Sequence, residues 1–362
     1  MAITFPPSSQ FRADIEAGVD AYFEKTGLPR RGVPRMFLKT ATIFAWLGLS
    51  YVGLVFFAHS WYVALPLAIS LGLAMAGVGF SIQHDGGHNA YSERRLLNRT
   101  MAWALDMLGG SSYFWHYKHN IAHHTFPNIS GADDDLVVGA MGRLSPHDRS
   151  LPIHRYQQFY LWFLYSLLPI RWALIDDFHS MIDPGIGQTK VPRPRGWDQV
   201  RFWLGKAFFL SGAFVVPLLF HKVGEVALWY LVTMMVLGVV LATVFQLAHC
   251  VEEATFPLPN EAGKMEHDWA THQVLTTVDF SRGNWLVTWY VGGLNYQIEH
   301  HLFPHICHVH YPKIAEIVER AARAHGIPYH CNSSGAALRS HYRWLRRMGR
   351  PTAAATFAAP TA

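Results

Sequence analysis

Between Thr40 and His84 the chain carries no Lys, Arg, Asp or Glu, and between Val226 and Cys250 it again carries none. A bilayer core is crossed by about 20 apolar residues wound as one helix, so the first stretch predicts two spans and the second predicts one. Inside hydrocarbon a backbone has to satisfy its own polar groups, and a helix does so within a single segment. Residues 202–220 read as a further span. Of the 362 residues only 15% are charged, against about 25% in soluble domains, and the deficit is concentrated in these stretches. The predicted fold class is an all-α integral membrane protein. Its four transmembrane helices lie at about 41–58, 62–82, 202–220 and 226–248.

The connections His59–Trp61 and His221–Glu225 are short, so the spans form two antiparallel hairpins. All longer segments then lie on one side: an N-terminal segment 1–40, a helical cap from 83–200 and 249–330, and a tail 331–362 whose low-complexity end is expected to be disordered. The membrane domain proper is 41–330. Arg30, Arg31, Arg35, Lys39, Arg94, Arg95, Arg99, Lys190, Arg193, Arg195 and Arg201 flank the spans on that side, whereas the short connections hold only Lys222. Positive residues collect on the cytoplasmic face, which puts both termini and the cap there. The apolar segment 159–175 contains Pro169 and Arg171, and we read it as a helix lying in the interface. A single crossing there would separate the cap into halves on opposite faces. Tyr311–Ala324 alternates apolar and charged residues at helical spacing and predicts an amphipathic helix. Three unpaired cysteines and no early apolar leader fit a reducing compartment. A net charge of +5 in so apolar a chain points to the anionic leaflet rather than to nucleic acid.

The chemistry is carried by histidines at the span edges. They fall in four groups: His84 and His88 in HDGGH, His119, His123 and His124 in HNIAHH, the isolated His249, and His300 with His301 in QIEHH. Residues four apart share a helix face, so His84 with His88, and His119 with His123, can each grip one metal. His124, rotated from His123, can serve a second, and His300 and His301 diverge in the same way. Eight imidazoles exceed what one ordinary site uses, so the reading is a histidine-rich di-metal site. Imidazole suits zinc, copper, iron and nickel, and the residues alone leave that choice open. No HExxH is present, so a zinc-protease reading lacks its general base. Asp85, Asn120 and Glu299 sit inside the clusters as candidates to orient imidazoles from behind. Asp133–Asp135 reads as a solvated turn. His116, His272, His305, His308, His310 and His330 read as structural. A metal transporter or sensor would place polar groups within its spans, and the charge-free stretches argue against it.

HDGGH at 84–88, HNIAHH at 119–124 and QIEHH at 297–301 together resemble the three histidine boxes of membrane fatty acid desaturases. The resemblance covers roughly residues 40–330. Gln297, where many members carry His, resembles the front-end group, which includes linoleoyl-CoA (delta-6-type) and delta-5-type enzymes. It implies a non-haem di-iron centre that uses O2 and two electrons to place a cis double bond in a fatty acyl chain, on the carboxyl side of an existing one. Carried over by position, the ligands are His84, His88, His119, His123, His124, His300 and His301, with His249 as an extra ligand and Gln297 binding directly or through water. Related di-iron hydroxylases, ketolases and acetylenases share this chemistry. Many eukaryotic front-end enzymes carry a fused cytochrome b5 domain with a His-Pro-Gly-Gly motif. That motif is absent from the sequence, so the expected donor is a separate ferredoxin or cytochrome b5, steered by the basic face. The acyl tail is expected in an apolar channel beneath the metals.

Overall fold

The structure, a computed structural model, describes residues 2–350 apart from 184, 187 and 188; the expected disordered end of the tail lies outside the described residues. Among these, four helices are long and apolar enough to cross a membrane: span 1 (Pro34–Phe57), span 2 (Trp61–Gly87), span 3 (Trp197–Leu218) and span 4 (Val223–His249). Each exceeds its expected limits at the cap end, span 4 by a single residue and the others by several, because those helices continue past the last uncharged residue. Lys39 falls inside span 1, and the HDGG of the first cluster ends span 2 as helix.

Spans 2 and 4 run in the same direction and touch closely. A side chain at Gly72 would meet the Thr233 carbonyl at 2.6 Å, and the Thr233 hydroxyl donates to the Ala68 carbonyl at 3.2 Å. Both spans therefore deliver their C-terminal residues, His84 and His249, to one place. Span 3 is not charge-free. Lys206 is buried there and donates to Asp177 Oδ2 at 2.7 Å and to the Gly109 and Ala173 carbonyls at 2.6 and 3.0 Å. Three spans contain a π-helical turn, at Gly53–Phe57, Val78–Gln83 and Ser211–Val215.

The segment read as interfacial is helical from Gln157 to Ile182 and is not among the four candidate spans. It packs on span 4, where a Cβ on Gly238 would strike the Tyr165 and Ser166 carbonyls at 2.6 and 2.5 Å. The cap segments on either side of it meet around the histidines, as a single crossing there would forbid.

Two segments treated as peripheral belong to the packed body. Gln10–Thr26 is a helix that buries Phe11, Ile15, Val19 and Phe23 against Ile314, Ala315 and Val318 of the helix Tyr311–Ala324. The boundary at 331 is also too early. Cys331–Asn332 pairs in parallel with Asp279–Phe280, and Ser334–Met348 is a helix burying Ala337, His341, Trp344, Leu345 and Met348. Those positions recur at helical spacing, so the apolar stripe holds the helix to the domain. A second small pairing is antiparallel, Gly185–Ile186 with Thr189–Lys190.

Candidate metal centre

Span 2 brings the first cluster into place by close approach of backbone. A Cβ on Gly86 would meet the Ala102 amide nitrogen at 2.6 Å, and one on Gly87 would penetrate the Trp115 ring. The two glycines thus let helix 95–102 and Trp115 wall in His84 and His88. The second cluster follows the short helix Ser112–Trp115, whose Ser111 side chain accepts from the Phe114 amide. It forms a π-helical turn, His116–His123, where an α-helix was expected. The third cluster is the helix Gln297–Leu302. It is seated by the Gly292–Gly293 turn, both at positive φ, with Gly292 directly on the Phe80 carbonyl of span 2.

All eight histidines converge, each no more than 8% exposed. Donor atoms of His84, His88, His119 and His300 lie within 4.8 Å of one another, as do those of His123, His249 and His301, and those of His124, His300 and His301. His119 and His123 share a face, with stacked rings 5.2 Å apart; they come together with Asp135, while His119 also joins the first of these groups and His123 the second. His300 and His301 diverge toward the two groups, and His124 lies between them, with ring centroids 4.6 Å from His300 and 4.4 Å from His301. The Gln297 amide sits 2.9 Å from His249 Nε2, in the second group, and can present either its N–H or its carbonyl oxygen there.

The residues fit a metal pair. The Nε2 atoms of His88, His123, His300 and His301 are buried without a partner, an expensive state for a polar atom. His84 Nε2 and His124 Nε2 are each 3.3 Å from His119 Nε2, close to the separation of two nitrogens sharing a metal at bonds of about 2.1 Å. On the far side of the rings, His123 Nδ1 lies 3.0 and 3.1 Å from the Asp133 oxygens. His301 Nδ1 donates to Gln273 Oε1 at 2.8 Å, and His300 Nδ1 faces the Tyr311 hydroxyl at 3.4 Å. Such partners fix which nitrogen is free to bind. Burial, joined by repulsion from neighbouring rings, holds His88, His124, His300 and His301 well below the usual histidine pKa, so they are neutral, the form that ligates. For His123 burial acts in the same sense, but the Asp133 and Asp135 carboxylates outweigh it and raise the pKa.

The residues expected behind the rings serve elsewhere. Asp85 bonds His308 Nδ1 at 2.9 Å. Asn120 donates to the Gly87 carbonyl at 2.8 Å and faces His116. Glu299 accepts from Tyr329, which also donates to Asp279. Each side chain is turned away from the ring array by its position on the helix. The Asp133–Asp135 run is not a solvated turn: Asp133 is 1% exposed and accepts from the Asn128 and Asp135 amides as well as serving His123. Its place ten residues after His123 was a usable signal, whereas nothing local marks Gln273. Asp85, Cys307 and His308 could themselves hold an ion, but Lys39 Nζ lies 2.9 Å from His308 Nε2 and fills that place with a cation.

Below the histidines a cavity of about 520 Å³ lies among all four spans, lined almost wholly by apolar side chains. Its upper wall includes Val78, six residues before His84 and about 9 Å down the helix axis.

A family described as fatty acid desaturase matches residues 59–333. The chain is 36% identical to the sn-1 linoleoyl-lipid 6-desaturase of Arthrospira platensis, over 96% of this chain and 94% of that protein. It is likewise 36% identical to the enzyme of the same description from Synechocystis sp., over 96% and 98%. To the acyl-lipid (8-3)-desaturase of Physcomitrium patens it is 35% identical over 94% and 72%.

Proposed function

The chain belongs to the fatty acid desaturase family, and on that premise we propose that it is an acyl-lipid desaturase of front-end type, adding a cis double bond between an existing one and the carboxyl end. The observation that carries the reading is the convergence of eight buried histidines, with unpartnered inward nitrogens, directly above an apolar cavity within the spans. Three relatives that span nearly the whole chain bear names of lipid-linked desaturases, two of them linoleoyl-lipid and one acyl-lipid.

His84, His88, His119 and His300 would hold one iron, His123, His249 and His301 the other, with His124 between them and Gln297 completing the second set. Loaded with iron, such a centre supplies O2-dependent oxidation: two hydrogens leave adjacent carbons, and O2, two further electrons and two protons complete the balance as water. The chain's own residues do the rest. Asp133 and Gln273 hold the outer ring protons of His123 and His301, so that Nε2 presents its lone pair. The wall of Trp115, Tyr311 and the two glycines excludes water. The cavity aligns the tail, so that distance along it selects the carbon.

Electrons would come from a separate ferredoxin or cytochrome b5 docking on the cap. A basic landing face is available on Ser334–Met348, where Arg339, Arg343, Arg346 and Arg347 are exposed and His341 Nδ1 is 2.7 Å from the carbonyl of Cys250, the neighbour of His249. The flanking Lys and Arg residues support a cytoplasmic cap with both termini on that side.

The test is expression in a host of known lipid profile, fed mono- and diunsaturated acids, with new double bonds located by mass spectrometry. A new bond on the carboxyl side of the existing one is expected. Oxygen insertion instead would move the reading to a hydroxylase. His84→Ala, His123→Ala and His300→Ala should each abolish turnover and lower iron content; full iron and turnover in all three would refute the site.

A further inference from the structure

The cavity is closed unevenly. Spans 2 and 4 seal it by direct packing, but between spans 1 and 3 the wall is a seam of Gly48, Tyr51, Phe208, Ser211 and Gly212. Gly48, Phe208 and Ser211 line the cavity and are exposed. Both helices also depart from α geometry at this level, with π-helical turns at Gly53–Phe57 and Ser211–Val215.

The π turn in span 3 leaves a carbonyl free. The Val216 amide bonds back to Ser211, so the next amide in that pattern, the one that would serve Gly212, belongs to Pro217 and has no hydrogen. The Gly212 carbonyl is instead satisfied across the seam by the Tyr51 hydroxyl, at 2.8 Å. Farther down, His221 Nε2 donates to the Val55 carbonyl of the π turn in span 1, at 2.7 Å. Two side-chain ties to backbone carbonyls therefore join this wall, one to a carbonyl left free by the π turn of span 3 and one to a carbonyl in the last turn of span 1. Mid-helix π turns recur at functional positions.

We propose that the seam between spans 1 and 3 is a lateral portal through which one acyl chain of a bilayer lipid enters the cavity, latched by Tyr51 on the Gly212 carbonyl. The occupant follows from position. The seam lies within the membrane-spanning lengths, so hydrocarbon tails are what abut it, and a lining this apolar offers water nothing to bind. A tail that slides in sideways leaves its headgroup at the bilayer surface, so the chain stays esterified throughout. The inference deepens the acyl-lipid reading and rests on it for the chemistry, although the portal itself is tested without turnover.

The experiment uses the iron-loaded full chain in nanodiscs containing a phosphatidylcholine with a diazirine near the methyl end of one tail. In a Cys331→Ser background, Tyr51→Cys and Gly212→Cys are bridged by a reducible bis-thiosulfonate reagent. Bridging is expected to lower photolabelling of the interior residues Phe209 and Met234 at least tenfold, with iron content unchanged, and reduction should restore it. Tyr51→Phe, which keeps the ring and loses the latch, should label faster than the parent. Equal interior labelling of bridged and reduced protein overturns the portal. Desaturation assayed on the same discs with linoleoyl lipid separates the two ideas: turnover without bridge-sensitive labelling sinks the portal alone, whereas bridge-sensitive labelling without turnover sinks the desaturase reading alone.

Discussion

Asp133→Asn removes one charge and no volume, and the structure says what that should cost. The carboxylate is buried and serves four contacts: both oxygens face His123 Nδ1 at 3.0 and 3.1 Å, and each also accepts a backbone amide, Asn128 and Asp135, at 3.0 Å. Whichever oxygen becomes an amide nitrogen, one buried N–H is left facing a donor, a loss of about 1–3 kcal/mol in stability. The carboxylate's grip on the His123 ring weakens as well. Partners behind a ligating histidine are worth 10–100-fold in metal affinity, or about 1.4–2.8 kcal/mol. The expected result is iron bound 10–100-fold more weakly by competitive chelation, with turnover falling in parallel. The sign with pH follows from the raised His123 pKa. In the metal-free protein the His123–Asp133 pair contributes stability that is full below the unfolded value of about 6.5 and is lost as pH rises through the higher folded value. The gap in melting temperature between parent and variant should therefore be widest in acid and close toward alkaline pH. Iron must displace that same proton, so affinity in the parent should rise with pH through this range, and the variant's should rise less. Unaltered iron affinity, together with a melting gap independent of pH, would refute the role given to Asp133.

Other outcomes test the architecture. Trp344 is 1% exposed, stacks on Phe256 at 4.6 Å and donates to the Leu144 carbonyl at 2.9 Å, so Trp344→Ala should destabilise by about 3–5 kcal/mol, read as a large fall in melting temperature in detergent; a surface-like effect would return the helix to the tail. Asp177→Ala leaves Lys206 charged and buried and should cost about 3–5 kcal/mol, whereas Asp177→Ala with Lys206→Met should recover most of it; no recovery would deny the pair.

The spans were legible because the absence of charge over twenty residues has few physical meanings, and their cap-side ends were misjudged because a helix does not stop where its first polar residue appears. The histidines could be found by motif, but their division between two groups could not. It depends on how the helices carrying 84–88, 119–124, 249 and 300–301 are placed against one another, and no local pattern announces that. Gln273 was invisible because it reaches His301 only through the tertiary fold. The helix Ser334–Met348 carried a readable stripe in Ala337, His341, Trp344, Leu345 and Met348, masked by its four arginines and by the low-complexity residues after it.

The π turn at Val78–Gln83 has a bearing on how such a chain changes over time. One additional residue advances a helix by about 100°, so this turn acts as a phase shifter between two lengths of span 2. Below it, Gly72 is held against span 4 by packing; above it, His84 and His88 are aimed by the demands of a metal. Because the register is reset between them, substitutions on the lipid-embedded half can drift without turning the ligands. Loss of a single residue from the shifter would swing both imidazoles away from the centre while leaving 26 of the span's 27 residues, still long and apolar enough to cross the membrane.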